Sequence, residues 1–311
     1  PTLVTLSAST VDENTDTSGG YTVGSLTTTD PDSGDTTSYS INGGADAAVF
    51  SISGSDLILT DGLLDFETKA SYEVTVRITD SGGLTHDQTF TISVNDLNEA
   101  PSFDSTAVTA ATEDVAYSYT ITTSDPDSGA SLTITATTRP AWLTLTDHGD
   151  GTATLSGTPT NLEVGDHAVV LEVSDGSLTD TQSFTLTVAN TNDAPVITSA
   201  AAVNAAENQT AVTTVTATDA DGDTPSFTIT GGADQALFSI TAGGVLTFNT
   251  APDFETLADF NNDGVYEVEV TANDGNTGTD VQTILVTVTN VNEAPTLVTL
   301  SASTVDENTD T

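Results

Sequence analysis

The sequence predicts an all-β chain: three Greek-key β-sandwiches in tandem, arranged end to end as a rod. Three observations carry this expectation. Short segments alternate apolar and polar residues, turn-forming residues punctuate them about every ten positions, and the pattern repeats with a period near 100 residues.

The alternation comes first. Residues 72–80 (YEVTVRITD), 167–175 (HAVVLEVSD) and 266–274 (YEVEVTAND) set an apolar side chain at every second position, as do 90–94 (FTISV), 184–188 (FTLTV) and 284–288 (ILVTV). Successive side chains of a strand point to opposite faces, so such a segment turns one face to a core and the other to water. Gly, Asp, Asn and Pro bound each run and supply the turns. About seven such strands per 100 residues is the content of a sandwich, and no helical period is long enough to compete.

The repeats come second. Residues 1–17, PTLVTLSASTVDENTDT, recur unchanged at 295–311. Seventeen identities in a row are not chance, so the sequence reads as one 294-residue unit followed by the start of the next copy, within a longer tandem array. Inside that unit NEAP (98–101), NDAP (192–195) and NEAP (292–295) mark a shorter period. Repeat A is expected at 1–100, repeat B at 101–194 and repeat C at 195–294, with 295–311 opening another A. A and C share a centre, INGGADAAVFSI at 41–52 and ITGGADQALFSI at 229–240, which B lacks. The connectors hold no Gly/Ser tract, so the repeats are expected to join with little slack.

Charge narrows the function. Lys and Arg total 3 against 46 Asp and Glu, a net charge of −43. A chain so poor in cations cannot neutralise phosphates, which excludes nucleic acid and argues against an anionic membrane surface. No apolar run approaches the roughly 18 residues of a membrane span, so no membrane insertion is expected in this segment. Without Cys there is no disulfide, thiolate zinc site or thiol nucleophile. Without Met the segment reads as a piece of a longer chain, with any secretion signal or anchor elsewhere. Asp outnumbers Glu by 33 to 13, which places the acidity in turns between strands.

Four acidic loops recur at one phase of the repeat. DEN (Glu13), TED (Glu113) and AEN (Glu207) follow the opening strand. Next come the turns DPDSGD (Asp30, Asp32), DPDSG (Asp125, Asp127) and DADGD (Asp219, Asp221, Asp223). LDFE (Asp65, Glu67) and PDFE (Asp253, Glu255) precede a late strand, which ends at Asp80, Asp175 or Asp274. The junctions add DLNEAP, NTNDAP and NVNEAP. Any one DPDSG is an ordinary Asx turn with Pro at its second position. Several acidic loops together, with almost no Lys or Arg, repel one another unless a cation sits between them. Calcium takes roughly six to eight oxygen ligands in irregular geometry and is the expected ion.

In their order and spacing these motifs resemble the calcium motifs of cadherin repeats, over essentially the whole chain. A and C resemble the bacterial cadherin type. B resembles the dystroglycan-type cadherin-like domain through RPAWLTL (139–145), LSGTPTNLEVGDH (155–167) and VSDG (173–176). The resemblance implies Ig-like/cadherin-like sandwiches with Ca2+ at each junction. One repeat supplies the first Glu, the D-x-E box and the linker; the next supplies the D-x-D turn and the late Asp. The A–B junction would then use Glu13, Asp65, Glu67, Asp96, Asn98 and Glu99 with Asp125, Asp127 and Asp175. The B–C junction would use Glu113, Asn190, Asn192 and Asp193 with Asp219, Asp221 and Asp274, and Asp223 beside them. Asp30, Asp32 and Asp80 would face a preceding repeat. Glu207, Asp253, Glu255, Asn290 and Asn292 would face the following one.

The chain departs from the family pattern in three places. Its linkers are one residue shorter than D-x-N-D-N-x-P, two of them begin with Asn, and B has no D-x-E box, only Glu163 and Asp166 nearby. The A–B junction is therefore expected to hold more calcium than B–C. Repeat C carries a further motif: Asp259, Asn261, Asp263 and Gly264 match the start of an EF-hand loop, but position twelve is Val270 and not Glu. Glu267 at position nine can partly replace it. A local calcium site and a plain hairpin turn are both open readings.

Little else carries chemistry. The three histidines are scattered and read as solvated, and there is neither a G-x-S-x-G motif nor a triad. Carboxylate pairs are too many for any one to mark a glycosidase. Trp142, in an alternating WLTL, is expected in the core and not on a sugar. Asn208-Gln209-Thr210 is a formal glycosylation sequon. The expectation is a non-enzymatic set of calcium-binding extender repeats from an RTX-type bacterial adhesin, secreted or at the cell surface. Such repeats would support cell adhesion or biofilm formation. Partners are neighbouring repeats, with carbohydrate or like repeats on other cells as the alternative binding function.

Overall fold

The computed structural model describes residues 1–294. These form two compact units, the first comprising Pro1–Pro159 and Gly165–Val188, the second Thr160–Val164 and the chain from Ala189 onward. The recurrence of residues 1–17 at 295–311 lies outside the described residues.

The first unit holds two sandwiches. In the first of these, Leu3–Leu6, Tyr21–Thr29, Asp56–Leu59 and Phe50–Ser53 make one sheet, and Thr10–Asp12, Thr85–Asn95, Ser71–Asp80 and Thr37–Gly43 the other. Leu57, Leu59, Val74, Val76, Ile78 and Ile92 meet between them, each with no exposure. Along Ser71–Asp80 burial alternates strictly, as the period of two requires. The second sandwich packs Ala110–Thr112, Thr179–Ala189, Gly165–Ser174 and Thr133–Thr138 against Thr144–Asp147, Thr152–Gly157, Tyr117–Ser124 and Ser102–Phe103. Its core contains Ile121, Leu143, Leu155, Leu171 and Leu186. The second unit repeats the plan with Ala202–Ala206, Thr279–Thr289, Val265–Asn273 and Ser226–Gly231 in one sheet. Ala211–Thr214, Val245–Phe248 and Phe238–Ile240 make a sheet across its core, beside the short pair Val196–Ile197 and Ala217–Thr218.

One topological step positions the acidic loops. After Leu3–Leu6 pairs antiparallel with Tyr21–Thr29, the chain crosses to the other sheet, where Thr10–Asp12 runs parallel to the last strand, Thr85–Asn95. Ala202–Ala206 runs parallel to Thr279–Thr289 in the same way. The residue that follows this short strand, Glu13 or Glu207, therefore comes to rest where the last strand hands over to the linker.

The shared GGAD motif is explained by a close approach. Gly44 and Gly232 have φ of +101° and +98°, and a Cβ on either would lie 2.5 Å from the carbonyl oxygen of Glu73 or Glu267. Only glycine fits such a position. Two residues on, Asp46 and Asp234 close the motif onto that strand: their amides donate to the Glu73 and Glu267 carbonyls at 3.0 Å. Their carboxylates accept the Glu73 and Glu267 amides at 2.8 Å.

Two details differ from the sequence reading. Trp142 is not in a strand: it lies in the turn before Thr144–Asp147, because the alternation starts one residue after Leu143. It still packs on the core, edge-on to Tyr117 and His167 at ring distances of 6.2 Å, so that His167 is half-buried and not fully exposed. The segment 259–264 is not a hairpin turn, since it leads from a loop into Val265–Asn273 without pairing strands on either side.

Gly44→Ala is expected to destabilise the first unit by about 2 kcal/mol or more, since it adds a backbone clash to the strain of a left-handed φ. Gly54→Ala, with φ of +65° and open space around the added carbon, should cost only about 1 kcal/mol. Urea unfolding of the two variants measures the difference; equal losses would show that the Gly44 approach is not constrained.

Candidate metal centre

The centre is built around a buried glutamate. Glu13 is 2% exposed. Its Oε2 accepts the Phe66 amide at 2.8 Å and its Oε1 the Leu97 amide at 2.5 Å. One carboxylate thus ties the end of an early strand to the LDFE box and to the linker. Asn14 follows with φ of +60°, a conformation Asn tolerates, and its side chain reaches Glu99 Oε1 at 2.9 Å. Glu207 repeats this with Phe254 at 2.8 Å and Val291 at 2.7 Å, and Asn208, at φ +64°, reaches Glu293. Glu113 is 1% exposed at the same phase, and Asp114 after it has φ of +58°.

Within the first unit the acidic loops converge. Glu13, Asp65 and Glu67 each offer an oxygen within 4.8 Å of the others, and so do Glu67, Glu99 and Asp127. Glu67 belongs to both groups. Across the linker the Glu99 amide donates to Asp127 Oδ2 at 2.8 Å, and the Asn98 side chain donates to Asp175 Oδ2 at 2.8 Å. Asp125 Oδ1 holds the Asp127 amide in an Asx turn at 2.9 Å. Asp96 is close enough to feel the charges of Asp127 and Glu13. All nine residues carried over to this junction therefore gather in one place.

The second unit shows the same pairing. The Asp193 amide donates to Asp221 Oδ2 at 2.6 Å, Asn192 to Asp274 Oδ2 at 2.8 Å, and Asn190 to Asp221 Oδ1 at 2.8 Å. Asp219 turns onto the Asp221 amide, and Asp223 accepts from Asn276. Glu207, Asp253 and Glu255 converge within 4.8 Å, with Asn290 donating to Glu255; Asn292 is exposed in the linker. In the first sandwich Asp30, Asp32 and Asp35 form a further group. Asp80, at the end of Ser71–Asp80, is buried, and its Oδ1 accepts the Leu84 amide at 2.9 Å. Asp259, Asn261 and Asp263 stand apart from all of these, in the loop before Val265–Asn273.

Three participants escaped the motif reading. Asp35 was visible as the last letter of DPDSGD. Asn14 was visible only as the residue after the glutamate. Asn161, which donates to Asp221 at 2.8 Å within the second unit, lies in LSGTPTNLEVGDH but in none of the acidic loops.

Comparison with known proteins fits this geometry. The Cadherin domain family model matches residues 8–95, that of the Putative Ig domain 100–189, and that of the Bacterial Ig domain 192–287. The chain is a tandem of cadherin-like and Ig-like domains. Solved structures similar to it include cadherin ectodomains. Protocadherin Gamma B2 extracellular domains 1–5 align with a TM-score of 0.66 and 23% identity over 94% of this chain, which spans 60% of that one. Mouse Cadherin-23 EC22–24 aligns with a TM-score of 0.57 and 18% identity, covering 91% of this chain and 96% of that one. At such identities the likeness is one of fold. A search of curated proteins finds no match. Among the described residues no helix is long and apolar enough to cross a membrane.

The carboxylates of the cadherin-like domain's junction fall into two electrostatic classes. Asp65 is held below the ordinary range by the Thr68 amide and hydroxyl. Asp175 is held low by the Leu178 and Ser177 amides and then by Asn98. Glu67 and Asp96 are pushed up instead. Loss of hydration is the largest cause for both, followed by repulsion from Glu13, Glu99 and Asp96 at Glu67, and from Asp127 and Glu13 at Asp96. Glu255 is raised in the same manner, by desolvation and then by Glu207. In the second class lost hydration and like charge outweigh the donors present, which is the environment an oxygen-binding cation relieves.

The residues present suit calcium. The donor set is oxygen throughout, and Glu99 Oε2 and Asp125 Oδ2 are buried without a hydrogen-bond partner. In each of these carboxylates the other oxygen already has a donor, Asn14 or the Asp127 amide.

In chelator, carboxyl-carbon NMR should find Glu67 and Asp96 titrating above ordinary Glu and Asp, with Asp65 and Asp175 below. Folded Glu67 and Asp96 hold protons more tightly than the unfolded chain does, so their share of metal-free stability falls as pH rises from the ordinary carboxylate range through the raised values. The lowered pair acts in the opposite sense: their stabilisation is present above the ordinary range and fades as pH falls through the depressed values. Ordinary titration of Glu67 and Asp96 would mean that the acidic loops do not converge.

Proposed function

We propose that this chain is a calcium-stiffened extender segment of a bacterial cell-surface or secreted adhesin, and that it catalyses no reaction. Glu99 and Asp125 carry the reading: each has one donor-bound oxygen and one buried oxygen without a partner, from opposite sides of one junction. The chain has no cation of its own to offer them. Lys69 is bound to Asp46, Arg77 to Asp87, and Arg139 donates to the Leu143 carbonyl.

Glu13, Asp65, Glu67, Asp96, Asn98 and Glu99 on one side, and Asp125, Asp127 and Asp175 on the other, would hold Ca2+. Bound there, the ion supplies attraction between carboxylates that otherwise repel. The side-chain amide of Asn98 can turn its oxygen to the metal in place of the nitrogen that now meets Asp175. Bridging across a short linker removes the freedom of one sandwich relative to the next, the mechanical property an extender needs. The matched domain families are adhesion modules typical of extracellular proteins, which agrees with a place outside the cell and with adhesion or biofilm formation as the wider role.

Glu67→Ala should weaken calcium binding at this junction severalfold or more, because affinity follows ligand charge count and Glu67 belongs to both oxygen groups. The rise in melting temperature on adding calcium should shrink with it, since that gain is set by RT ln(1 + [L]/Kd). Calorimetric titration of the variant chain tests this, and unchanged affinity and stoichiometry would reduce the LDFE box to an ordinary turn. Small-angle scattering tests the mechanical half: calcium should give a narrower distribution of intramolecular distances than chelator. Superimposable profiles would remove the extender role.

A further inference from the structure

The second unit contains an insertion that the cadherin-like domain lacks. Residues 65–73 read DFETKASYE and 253–267 read DFETLADFNNDGVYE, so that six residues, 259–264, are added between the box and the strand. The same exchange replaces Lys69 by Leu257. In the cadherin-like domain Lys69 Nζ lies 2.5 Å from Asp46 Oδ1 and 4.0 Å above the Tyr72 ring, neutralising the clamp aspartate of the GGAD motif. In the second unit the corresponding Asp234, 5% exposed, has no ammonium. The insertion supplies an amide instead: Phe260 donates to Asp234 Oδ1 at 2.7 Å, while Glu267 donates to Oδ2.

The exchange at Leu257 thus removes a cation, and the inserted loop adds two carboxylates, Asp259 and Asp263. Asp234, Asn261, Asp263 and Glu267 line one depression of about 280 Å3. Asp259, in the same inserted loop, is 3% exposed. Its Oδ2 accepts the Asp263 amide at 2.8 Å, which turns the carboxylate inward onto its own loop. Its Oδ1 is buried there without a hydrogen-bond partner. An ionised carboxylate held out of water needs a partner for each oxygen or a counter-charge. Repeat C, 195–294, contains no Lys, Arg or His, so the counter-charge must come from solution.

We propose that this loop is a calcium site of its own, built on Asp259, Asn261 and Asp263 with the Val265 carbonyl and Glu267, and separate from the junctions. The ligand order is that of the first nine positions of a calcium loop, with Gly264, at φ +78°, where the chain must turn sharply. Val270 occupies position twelve and is fully buried in the core, so no bidentate carboxylate closes the shell. Water completes it, which places the affinity in the weak class of extracellular modules, roughly 10⁻⁴ to 10⁻³ M. The acidic chemistry selects a hard cation over zinc or copper, which favour nitrogen or sulfur ligands. A filled site replaces the missing Lys69 contact and fastens the insertion to the strand behind it.

The test is a calcium titration of the full 311-residue chain followed by backbone amide NMR, comparing the wild type with Asp259→Asn and Asp263→Asn. Asp263 is exposed, so its variant keeps the fold even where the buried substitution does not. The expected result is that amides 259–265 shift with calcium, and that either variant weakens that response at least severalfold. Amides of Glu99 and Asp127 should respond in the variants as in the wild type. Amides 259–265 that stay still up to about 10 mM calcium, ten times the weak end of that class, would overturn the proposal, as would an identical response in Asp263→Asn. Either result leaves the junction reading intact, because Glu99 and Asp127 report on it separately.

Discussion

A carboxylate has two oxygens, and in Glu13 each is bound to a backbone N–H from a different part of the chain, Phe66 and Leu97. The arrangement around the first junction depends on this one group. It fixes where the LDFE box stands relative to the linker, and therefore where Asp65, Glu67, Asp96 and Glu99 can point. A hydroxyl could not satisfy both amides, and an apolar residue would leave two buried donors unpaired. Glu207 does the same in the second unit. The left-handed residue after each glutamate lets the chain leave without displacing it.

The second constraint is a shortage of positive charge. Three basic side chains serve 46 acidic ones, and all three are bound away from the first junction. Backbone amides and Asn side chains satisfy part of the acidic surface, holding Asp65, Asp175, Asp221 and Asp274 low and ionised. What they do not offset becomes visible as the raised Glu67, Asp96 and Glu255, and what they do not reach as buried oxygens without donors. The same argument applies at Asp259, a buried carboxylate that an insertion adds to a repeat without Lys, Arg or His.

Much of this was legible in the residue order. The alternation of YEVTVRITD becomes the strict burial pattern of Ser71–Asp80, because a pleated strand has no freedom to present side chains otherwise. The recurring phase of the acidic loops becomes their convergence in space, because each loop leaves an equivalent strand at an equivalent end. The GGAD motif was legible as shared but not as explained: its reason is a carbonyl 2.5 Å from where a Cβ would be, supplied by Glu73 or Glu267 on a later strand. Trp142 was placed in a strand because WLTL alternates, yet the turn made by Arg139–Pro140 delays pairing until Thr144. Asn161 stood inside a quoted segment but its contact was not legible, since any Asn can reach a carboxylate that packing brings near.

By itself, the sequence determined that this is an all-β tandem of sandwiches, that its loops are acidic at one phase, and that it has too few cations to neutralise them. These properties are local or compositional: strand period, turn chemistry and charge are written in neighbouring residues. Only the tertiary structure decided which carboxylate oxygens are already held and which are left over. That depends on amides 53 and 84 residues from Glu13 and on an asparagine 85 residues from Glu99. It depends also on whether a lysine or an inserted loop covers the clamp aspartate. An oxygen lacks a partner only by virtue of everything packed around it, and no window of sequence contains that.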